Sequence, residues 1–195
     1  MRVISQDFIN VQIFSKIFLG EHQMELSSGG IRELLQLCYV ASLGSLDKST
    51  QCGSVLFGSD GEPIMKTLEY NRFPKGVKDH GHRWDANSKK FFVSHAERNS
   101  LFAAARLGLA TNGLGLAAPW ACCADCAHAI VQCGIRTLVT HHEAYTRSPY
   151  RWKKSMDSAY SILDEAGVDV IFYNGKVFDG TDGPSVLLNA DRWIP

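Results

Sequence analysis

The sequence predicts an α/β protein, a three-layer α/β/α sandwich built on a central five-stranded mixed sheet. Helical and strand patterns alternate through the second half of the chain, which is typical of βαβ units whose sheet is covered on both faces. Hydrophobic residues make up 45% and charged residues 21% of the 195 positions, a balance that provides a sizeable core. This length favours a single domain over two.

The first elements follow from apolar spacing and from a reversing turn. A helix is predicted from Ile31 onward, because apolar residues there recur three and four positions apart. The apolar run at 52–58 predicts a strand, Ser-Asp-Gly at 59–61 predicts a turn, and residues 63–70 can return as the partner strand. The next stretch, 71–92, is polar and irregular, and long loops of this kind are often functional.

The later elements alternate, and a glycine ends each predicted helix. The predicted helices span 96–107, 124–133 and 152–166, and they end before Gly108, Gly134 and Gly167. The predicted strands span 114–118, 136–140 and 168–173. One globular domain is therefore expected over residues 31–173.

Two flanking segments are set apart from this domain. An N-terminal arm is expected at 1–30, where apolar residues between Phe8 and Phe18 predict a short amphipathic element that packs on its own domain or on a neighbouring subunit. The C-terminal tail, 174–195, is rich in turn residues and receives no secondary-structure assignment.

The charge balance excludes several classes of partner. Lys and Arg together number 20, as do Asp and Glu, so no global basic field exists to hold a nucleic-acid polymer or an anionic membrane. No stretch approaches the roughly 18 consecutive apolar residues of a membrane span. The first residues also lack the uninterrupted apolar region of a secretory signal. We therefore expect a cytoplasmic protein, in which a local anion-binding pocket is compatible with the charge balance.

The six cysteines are distributed unevenly along the chain. Four of them lie within twelve residues, which indicates metal or redox chemistry in a reducing compartment rather than a disulfide framework. The clustered cysteines are Cys122, Cys123, Cys126 and Cys133, and the others are Cys38 and Cys52. Cysteines outside a metal site, here Cys38, Cys52 and Cys133, are expected to be small buried core residues.

Two short segments at predicted helix starts contain a metal-ligand set, Ser-His-Ala-Glu at 94–97 and Cys-Cys-Ala-Asp-Cys at 122–126. Cys123 and Cys126 are three positions apart, so both sulfurs can face one point from the first turn of a helix. His95 can supply a third ligand. A catalytic zinc ion takes three such ligands and leaves its fourth position to water.

Glu97 adds the group that hydrolysis requires. It follows His95 by two positions, a spacing that does not stack side chains on one helix face, so it is better placed beside the metal than as a second ligand. A carboxylate in that place can take a proton from a water that zinc activates and return the proton to a leaving group. These parts together predict a hydrolytic zinc site.

Other interpretations of the same residues remain open at this point. A lone Cys-x-x-Cys is often a structural or redox feature, and His-x-Glu is common by chance. Cys122, Cys123 and Cys126 with His128 could also form a closed structural site that holds no water. The catalytic interpretation is favoured because both segments begin an Ala-rich helix and one predicted strand separates them.

The segments HAERNSLFAAARLG and PWACCADCAHAIVQCGI resemble the zinc-dependent cytidine and deoxycytidylate deaminase superfamily, whose signature is H-x-E followed by P-C-x-x-C. The resemblance covers roughly 31–173. Within the superfamily the sequence is most like the dCMP deaminases, because TQCGSVLF resembles their first strand and EYNRFPKGVKD their Y-N-G-x-P-x-G loop. It implies their fold, one catalytic zinc ion, hydrolytic deamination of dCMP and a homo-oligomer, usually a hexamer.

The resemblance also implies roles for single residues. His95, Cys123 and Cys126 would bind zinc and Glu97 would move protons, while Asn71 would contact the sugar, the Ala96 backbone the base, and Tyr145 the pyrimidine ring. Arg72, which replaces a glycine, lies in a loop that forms an effector site for dCTP and dTTP in regulated members. Arg106 matches an arginine near subunit contacts and effector sites, or is a surface cation.

Several assignments keep two alternatives. Cys122 occupies the family's proline position, so either Cys122 or Cys123 could be the ligand, and Cys123 is preferred because it preserves the C-x-x-C spacing. Trp120 could wall the base pocket or fill the core. A 5′-phosphate would need a cationic receptor, for which the candidates are Arg72, Lys75, Lys78, Arg147, Arg151, Lys153 and Lys154.

Three functions follow from these residues. The first is a dCMP deaminase of pyrimidine nucleotide metabolism. The second is a deaminase of another small substrate, such as cytidine, guanine or a modified nucleobase, because the zinc core is shared and the pocket is not. The third is a zinc module without activity, against which the uncoordinated carboxylate of Glu97 argues. The expected partner is in each enzymatic case a small molecule, without a nucleic-acid polymer or membrane.

Overall fold

The computed structural model describes residues 2–5, 26–180 and 183–195. The amphipathic element that the sequence predicts between Phe8 and Phe18 lies outside the described residues. The helices of the described part are α1 (Ser28–Ser42), α2 (Ala86–Phe92), α3 (Ala96–Leu107), α4 (Ala124–Gln132), α5 (His142–Thr146) and α6 (Lys153–Glu165). Its strands are β1 (Arg2–Ser5), β2 (Gly53–Phe57), β3 (Glu69–Tyr70), β4 (Gly115–Ala117), β5 (Thr137–His141), β6 (Asp169–Asn174), β7 (Val186–Leu188) and β8 (Asp191–Trp193).

The main sheet of the described residues is mixed, with the strand order β1-β6-β5-β4-β2-β3. Strands β4, β5, β6 and β1 run parallel, whereas β2 is antiparallel to both β4 and β3. The five predicted strands and the α/β/α sandwich are thereby confirmed. The sixth strand, β1, pairs with β6 and places Val3 opposite Phe172. Sequence patterns did not predict β1, because a four-residue strand is too short to show a period.

Alternate strand residues face two separate cores, as the pleat of a sheet requires. In β5, Leu138 packs on the side covered by α3, α4 and α6, together with Ile130 and Leu163. The next residue, Val139, packs on the opposite side against Leu35 of α1 and the β7–β8 hairpin. Both faces of the sheet are therefore covered, and the site described below lies where loops at the end of the sheet meet two helix starts.

Glycines end three of the helices at the predicted places. Gly108, Gly134 and Gly167 follow α3, α4 and α6 with φ values of 65°, 71° and 75°. In this left-handed region a residue with a Cβ atom is disfavoured, so a glycine ends the helix at low cost.

The structure departs from the predicted elements in three places. The predicted strand 63–70 is regular only at β3, apart from an isolated bridge between Pro63 and Phe57. Met65–Thr67 forms a 3-10 turn, and the Thr67 hydroxyl, rather than a strand carbonyl, accepts the Leu56 N–H at 3.0 Å. The polar loop 71–92 ends in α2, and the unassigned tail contains the β7–β8 hairpin. Within the described residues, no helix is both long and apolar enough to span a membrane.

Candidate active site

Two helix starts meet at the predicted metal site. His95 immediately precedes α3 and Cys123 immediately precedes α4, and both residues have extended backbone before the helix begins. The N-terminus of each helix carries positive potential from unpaired N–H groups. Two such ends directed at one point favour thiolate over thiol, which is the state a metal requires.

The donor atoms of His95, Cys123 and Cys126 have the spacing of a zinc site. The Nδ1 atom of His95 lies 3.4 Å from Sγ of Cys123 and 3.5 Å from Sγ of Cys126. All three donor atoms lie within 4.8 Å of one another. In a tetrahedral zinc site, bond lengths near 2.0 and 2.3 Å place nitrogen and sulfur about 3.5 Å apart. One nitrogen and two sulfur donors are also a ligand set that zinc prefers, so these residues fit the ion.

Cys122 lies outside this group although it adjoins Cys123. Its Sγ donates to the Cys123 carbonyl at 3.4 Å, and the residue is 1% exposed in the core beside α4 and α6. His128, which could have closed a structural site, is exposed on α4. In the described part of the chain, the group with Cys126 and His95 is the single cluster able to hold a metal. The geometry therefore favours Cys123 over Cys122.

The charges of the metal group shift its pKa values. The hydrogen bond with Cys126 and the neighbouring His95 lower the pKa of the Cys123 thiol to about 3, although burial opposes that shift. Burial disfavours the imidazolium of His95, but the hydrogen bond with the Cys123 sulfur and the nearby charges of Glu97 and Cys123 together outweigh burial and raise the pKa. Metal ligands bind in their deprotonated forms, so metal binding at this group would release protons.

Glu97 lies in the first turn of α3 and lines the same cavity as His95 and Cys123. The residue is 3% exposed, and burial raises the pKa of its carboxyl group. A carboxyl whose pKa moves toward neutrality can both accept and return a proton. The cavity volume of ≈ 100 Å³ is several times what one water needs, so water and a planar ring can reach the carboxyl group.

The cavity is formed by the two helix starts and by several loops. Its other walls consist of Asp47, Ser49, Thr50, Cys52, Asn71, Lys89, Val93, Ala96, Trp120, Ala121, Arg151, Trp152 and Met156. Three residues that the sequence assigned to substrate, Asn71, Ala96 and Trp120, are among them. Trp120 also packs against the buried cluster around α1, so it contacts both the cavity and the core.

Asn71 supports the cavity wall through its own hydrogen bonds. Its Nδ2 donates to Asp47 Oδ2 at 3.1 Å and to the Thr50 carbonyl at 2.9 Å, and its Oδ1 accepts from the Cys52 N–H at 2.8 Å. The side chain is therefore fixed, and both of its N–H donors are used within the protein.

Three sequence-based candidates do not reach the cavity. Tyr145 packs its ring against Tyr160 and Phe172, at centroid distances of 5.4 and 5.2 Å, because α5 turns this side chain back onto the sheet. The guanidinium of Arg72 is bonded to Glu69 at 2.8 Å, and Arg106 is exposed near the end of α3. In this structure the Tyr145 ring packs on the sheet, and its contact with a pyrimidine stays a prediction.

Besides Trp120, the cavity contains a second aromatic residue, Trp152. Its ring meets the His95 imidazole edge to face at 6.2 Å, and it lines the cavity beside Arg151. Arg151 is one of the cations predicted to bind a phosphate, whereas no role was predicted for Trp152. The sequence SPYRWKK could have indicated this position, because it places an aromatic residue next to a cation just before α6, and both side chains can line one cavity.

Of the seven cationic candidates for an anion receptor, Arg151 alone lines the cavity. Its side chain is exposed and forms no ion pair with any described residue. Several of the others are paired elsewhere: Lys75 with Glu69, Arg147 with Glu143 and Lys153 with Asp157. Lys89 also lines the cavity and was not predicted. Its Nζ lies 2.5 Å from Oδ2 of the buried Asp47, so its charge is compensated.

The part of the chain that contains this site matches a known protein family. A family model described as the cytidine and deoxycytidylate deaminase zinc-binding region matches residues 31–142. That range contains the metal group and Glu97 and extends beyond half of the chain.

Two curated relatives are similar over part of their length. A Caenorhabditis elegans protein named probable deoxycytidylate deaminase is 36% identical over 74 residues, which cover 36% of each chain. A Drosophila melanogaster protein with the same name is 28% identical over 137 residues, 64% of this chain and 63% of the relative. The chain thus spans about a third of the first relative and less than two thirds of the second.

A solved structure is similar in fold. The dCMP deaminase of cyanophage S-TIM5, in complex with dCMP and dUMP, superposes with a TM-score of 0.59 and 23% identity. The match covers 73% of this chain and 96% of the phage chain. At this identity the likeness concerns the fold alone.

Proposed function

The chain belongs to the cytidine and deoxycytidylate deaminase family, and we propose that it hydrolyses dCMP to dUMP and ammonia. The observation that supports this most strongly is the meeting of a three-donor metal group with the buried carboxyl group of Glu97 at one cavity. A structural metal site has no use for a carboxylate that lies beside the ion without binding it. Both relatives described above are named probable deoxycytidylate deaminase, which supports the choice of substrate.

In this proposal His95, Cys123 and Cys126 hold one zinc ion. When bound, zinc supplies Lewis-acid chemistry that makes a hydroxide nucleophile accessible near neutral pH. The two helix starts bring the three donors together at one point, and the pKa of the Cys123 thiol is lowered there. His95 and Cys123 line the cavity, so a zinc ion held by this group would act on a substrate bound there.

Glu97 moves the protons of the reaction. Its carboxylate takes a proton from the attacking water and delivers it to N3 of the cytosine ring as the oxygen bonds to C4. The carboxylate then takes the proton of the new C4 hydroxyl group and delivers it to the exocyclic nitrogen, so that the bond from C4 to nitrogen breaks, ammonia leaves and C4 becomes a carbonyl. Burial of Glu97 raises its pKa, and a raised pKa suits a group that must carry a proton between two steps.

The cavity walls orient the base and the phosphate. Trp152 and Trp120 provide aromatic surface for a planar ring, and the first-turn backbone of Ala96 lies at the same cavity. Arg151 is the cavity cation whose charge no described residue compensates, whereas Lys89 is paired with Asp47. A charged fork at the cavity edge suits a 5′-phosphate, which favours a nucleotide over a free base or nucleoside.

A substrate panel tests this function. Zinc-loaded protein is assayed for ammonia release from dCMP, CMP, deoxycytidine, cytidine and guanine, and the products are followed by ultraviolet absorbance. We expect the highest kcat/KM for dCMP. A higher value for a nucleoside or a base would overturn the choice of substrate. Absence of turnover with every compound, with zinc still bound, would overturn the proposal of an enzyme.

A further inference from the structure

The C-terminal hairpin formed by β7 and β8 contacts the loop between α1 and β2, here called the cavity loop and defined as residues 47–52. The Gln51 N–H donates to the Leu187 carbonyl at 2.9 Å, and the Leu187 N–H donates back to Gln51 Oε1 at 3.0 Å. At the hairpin turn the Ala190 N–H donates to the Ser49 carbonyl at 2.7 Å. The Asn189 N–H also donates to the Thr50 hydroxyl, over a longer distance of 3.4 Å.

The cavity loop forms part of the substrate cavity. Ser49, Thr50 and Cys52 line it, although the loop contains neither helix nor strand. On its inner side the loop is held by the buried Asp47, whose Oδ1 accepts the N–H groups of Ser49 and Thr50 at 2.8 and 3.2 Å. The outer side is held by the hairpin. A wall without secondary structure of its own thus depends on contacts from both sides.

The hairpin is itself anchored firmly in the molecule. Val186 and Leu188 are buried in the core beside α1. The Trp193 ring stacks on His141 at 5.5 Å with an interplanar angle of 14°, and it meets Tyr39 edge to face at 5.7 Å. The hairpin can therefore transmit its position to the cavity loop.

The turn of the hairpin has an unusual backbone. Asn189 and Ala190 have φ values of 55° and 69°, which are the two left-handed positions of a type I′ turn. Alanine rarely adopts this conformation, and such residues persist where the surrounding structure determines them. Here the conformation directs both N–H groups at the cavity loop, so the strained position coincides with the contact to Ser49.

We infer that the C-terminal hairpin is a positioning element for substrate binding, because it fixes the Ser49 and Thr50 wall of the cavity. The inference rests on the proposed function for the identity of the substrate. The hydrogen bonds that the cavity loop forms with other described residues reach the hairpin, Asn71, Lys89, Ser45, Gly53 and the Trp120 backbone, but not the metal group or Glu97. Loosening the loop should therefore weaken substrate binding and leave the chemical step unchanged.

Gln51→Ala in the full, zinc-loaded chain tests the inference. Gln51 does not line the cavity, yet its side chain accepts from the Leu187 N–H and donates to the Ser45 carbonyl at 2.9 Å. The loss of these two hydrogen bonds predicts a KM for dCMP that is raised about tenfold, with kcat within about twofold. Hydrogen exchange without substrate should become faster in residues 47–52.

Gln36→Ala is the matched control. Gln36 also joins α1 to the C-terminal segment, since its Nε2 donates to the Val177 carbonyl at 2.8 Å, but this bond lies away from the cavity. We expect its KM and the exchange of residues 47–52 to equal those of the wild type.

The outcomes separate the two proposals. Unchanged exchange of residues 47–52 in Gln51→Ala would overturn the positioning role, and so would faster exchange with an unchanged KM. An equal rise of KM in Gln36→Ala would overturn it as well, because the effect would then reflect general loosening. If the wild-type protein does not convert dCMP, the proposed function fails, while the exchange comparison and the KM for the preferred substrate of the panel still decide the role of the hairpin.

Discussion

Two sides of the cavity are built in different ways. The metal side consists of His95, Glu97, Cys123 and Cys126, and each belongs to the start of a regular helix. The loop side consists of the cavity loop, residues 47–52. Its hydrogen bonds with the hairpin join residues that are separated by 136 and 139 positions in the sequence. The chemistry thus depends on short local segments, whereas the shape of the substrate cavity depends on long-range contacts. The two sides can therefore be altered separately.

The largest expected effect comes from removing a metal ligand. Cys123→Ala should lose zinc and all turnover, because two donors do not complete a catalytic zinc site. Cys122→Ala is the adjacent control and should keep both zinc and activity, since its sulfur faces the core. Zinc content by atomic absorption and ammonia release measure the difference. Loss of zinc in Cys122→Ala would show that the metal side is assembled differently.

Glu97→Gln separates chemistry from metal binding on the metal side. The amide has nearly the same shape but cannot carry a proton, so we expect kcat to fall by roughly 10² to 10⁴. Zinc content and the KM should change little, because Glu97 is not a ligand. Steady-state kinetics with metal analysis checks this, and a variant that retains full turnover would refute the role of Glu97.

Arg151→Ala should weaken the binding of dCMP without affecting the chemical step. Loss of a charged hydrogen-bond donor to phosphate, about 1.5 to 3 kcal/mol, predicts a KM for dCMP raised roughly 10- to 100-fold. The kcat/KM for deoxycytidine, which has no phosphate, should be unchanged. Lys154→Ala is the control, as its exposed side chain lies near Arg151 in sequence but not at the cavity. Equal losses with both substrates would contradict a phosphate contact.

The stability that His141 contributes beneath the hairpin, where Trp193 stacks on it, should depend on pH. Burial lowers the pKa of His141 to about 4 from its ordinary value of 6.5, so the unfolded chain binds a proton that the folded chain does not. Stability from this residue is therefore complete above pH 6.5 and falls as the pH drops toward 4. At pH 5 the loss is about 2 kcal/mol relative to pH 7. His141→Gln, compared with the wild type by urea unfolding, should show a flatter dependence, and equal slopes would contradict this.

The smallest expected effect is at the hairpin turn. Glycine relieves the left-handed strain of Ala190 but adds freedom to the unfolded chain. The net result should be a free energy of unfolding higher by about 0.5 kcal/mol, with KM and kcat unchanged. Thermal unfolding of Ala190→Gly beside Ala110→Gly, a change at an exposed position with no such strain, measures the difference. Destabilisation by Ala190→Gly as large as that of the control would show that the strain is not released.

The metal side could be predicted from sequence because its geometry is local. Two helix starts and a three-residue spacing are enough to bring Cys123 and Cys126 together, and a glycine at the end of each helix fixes the bounds. The order of helices and strands followed from the same local patterns. Even the choice between Cys122 and Cys123 agreed with the spacing argument, and the structure supplied the core contact that explains it.

The loop side could not be predicted in this way. Tyr145 was expected at the cavity by resemblance, but the rotation of α5 depends on its packing against Phe172. Asp47 and Lys89 carry no local signature, since their roles arise from partners far along the chain. The hairpin was missed for the same reason, because its short strands become visible only through their contacts.

The neighbouring thiols of Cys122 and Cys123 have a consequence for assembly. Before α4 forms, both are almost equally far along the chain from Cys126, and neither is chemically preferred by a metal. Only the extended backbone at Cys123, followed by the helix, turns one sulfur toward His95 and the other into the core. The choice of ligand between Cys122 and Cys123 thus depends on the formation of α4. We therefore expect zinc added to the folded chain to bind through Cys123 and Cys126, with Cys122 excluded by its position in the core.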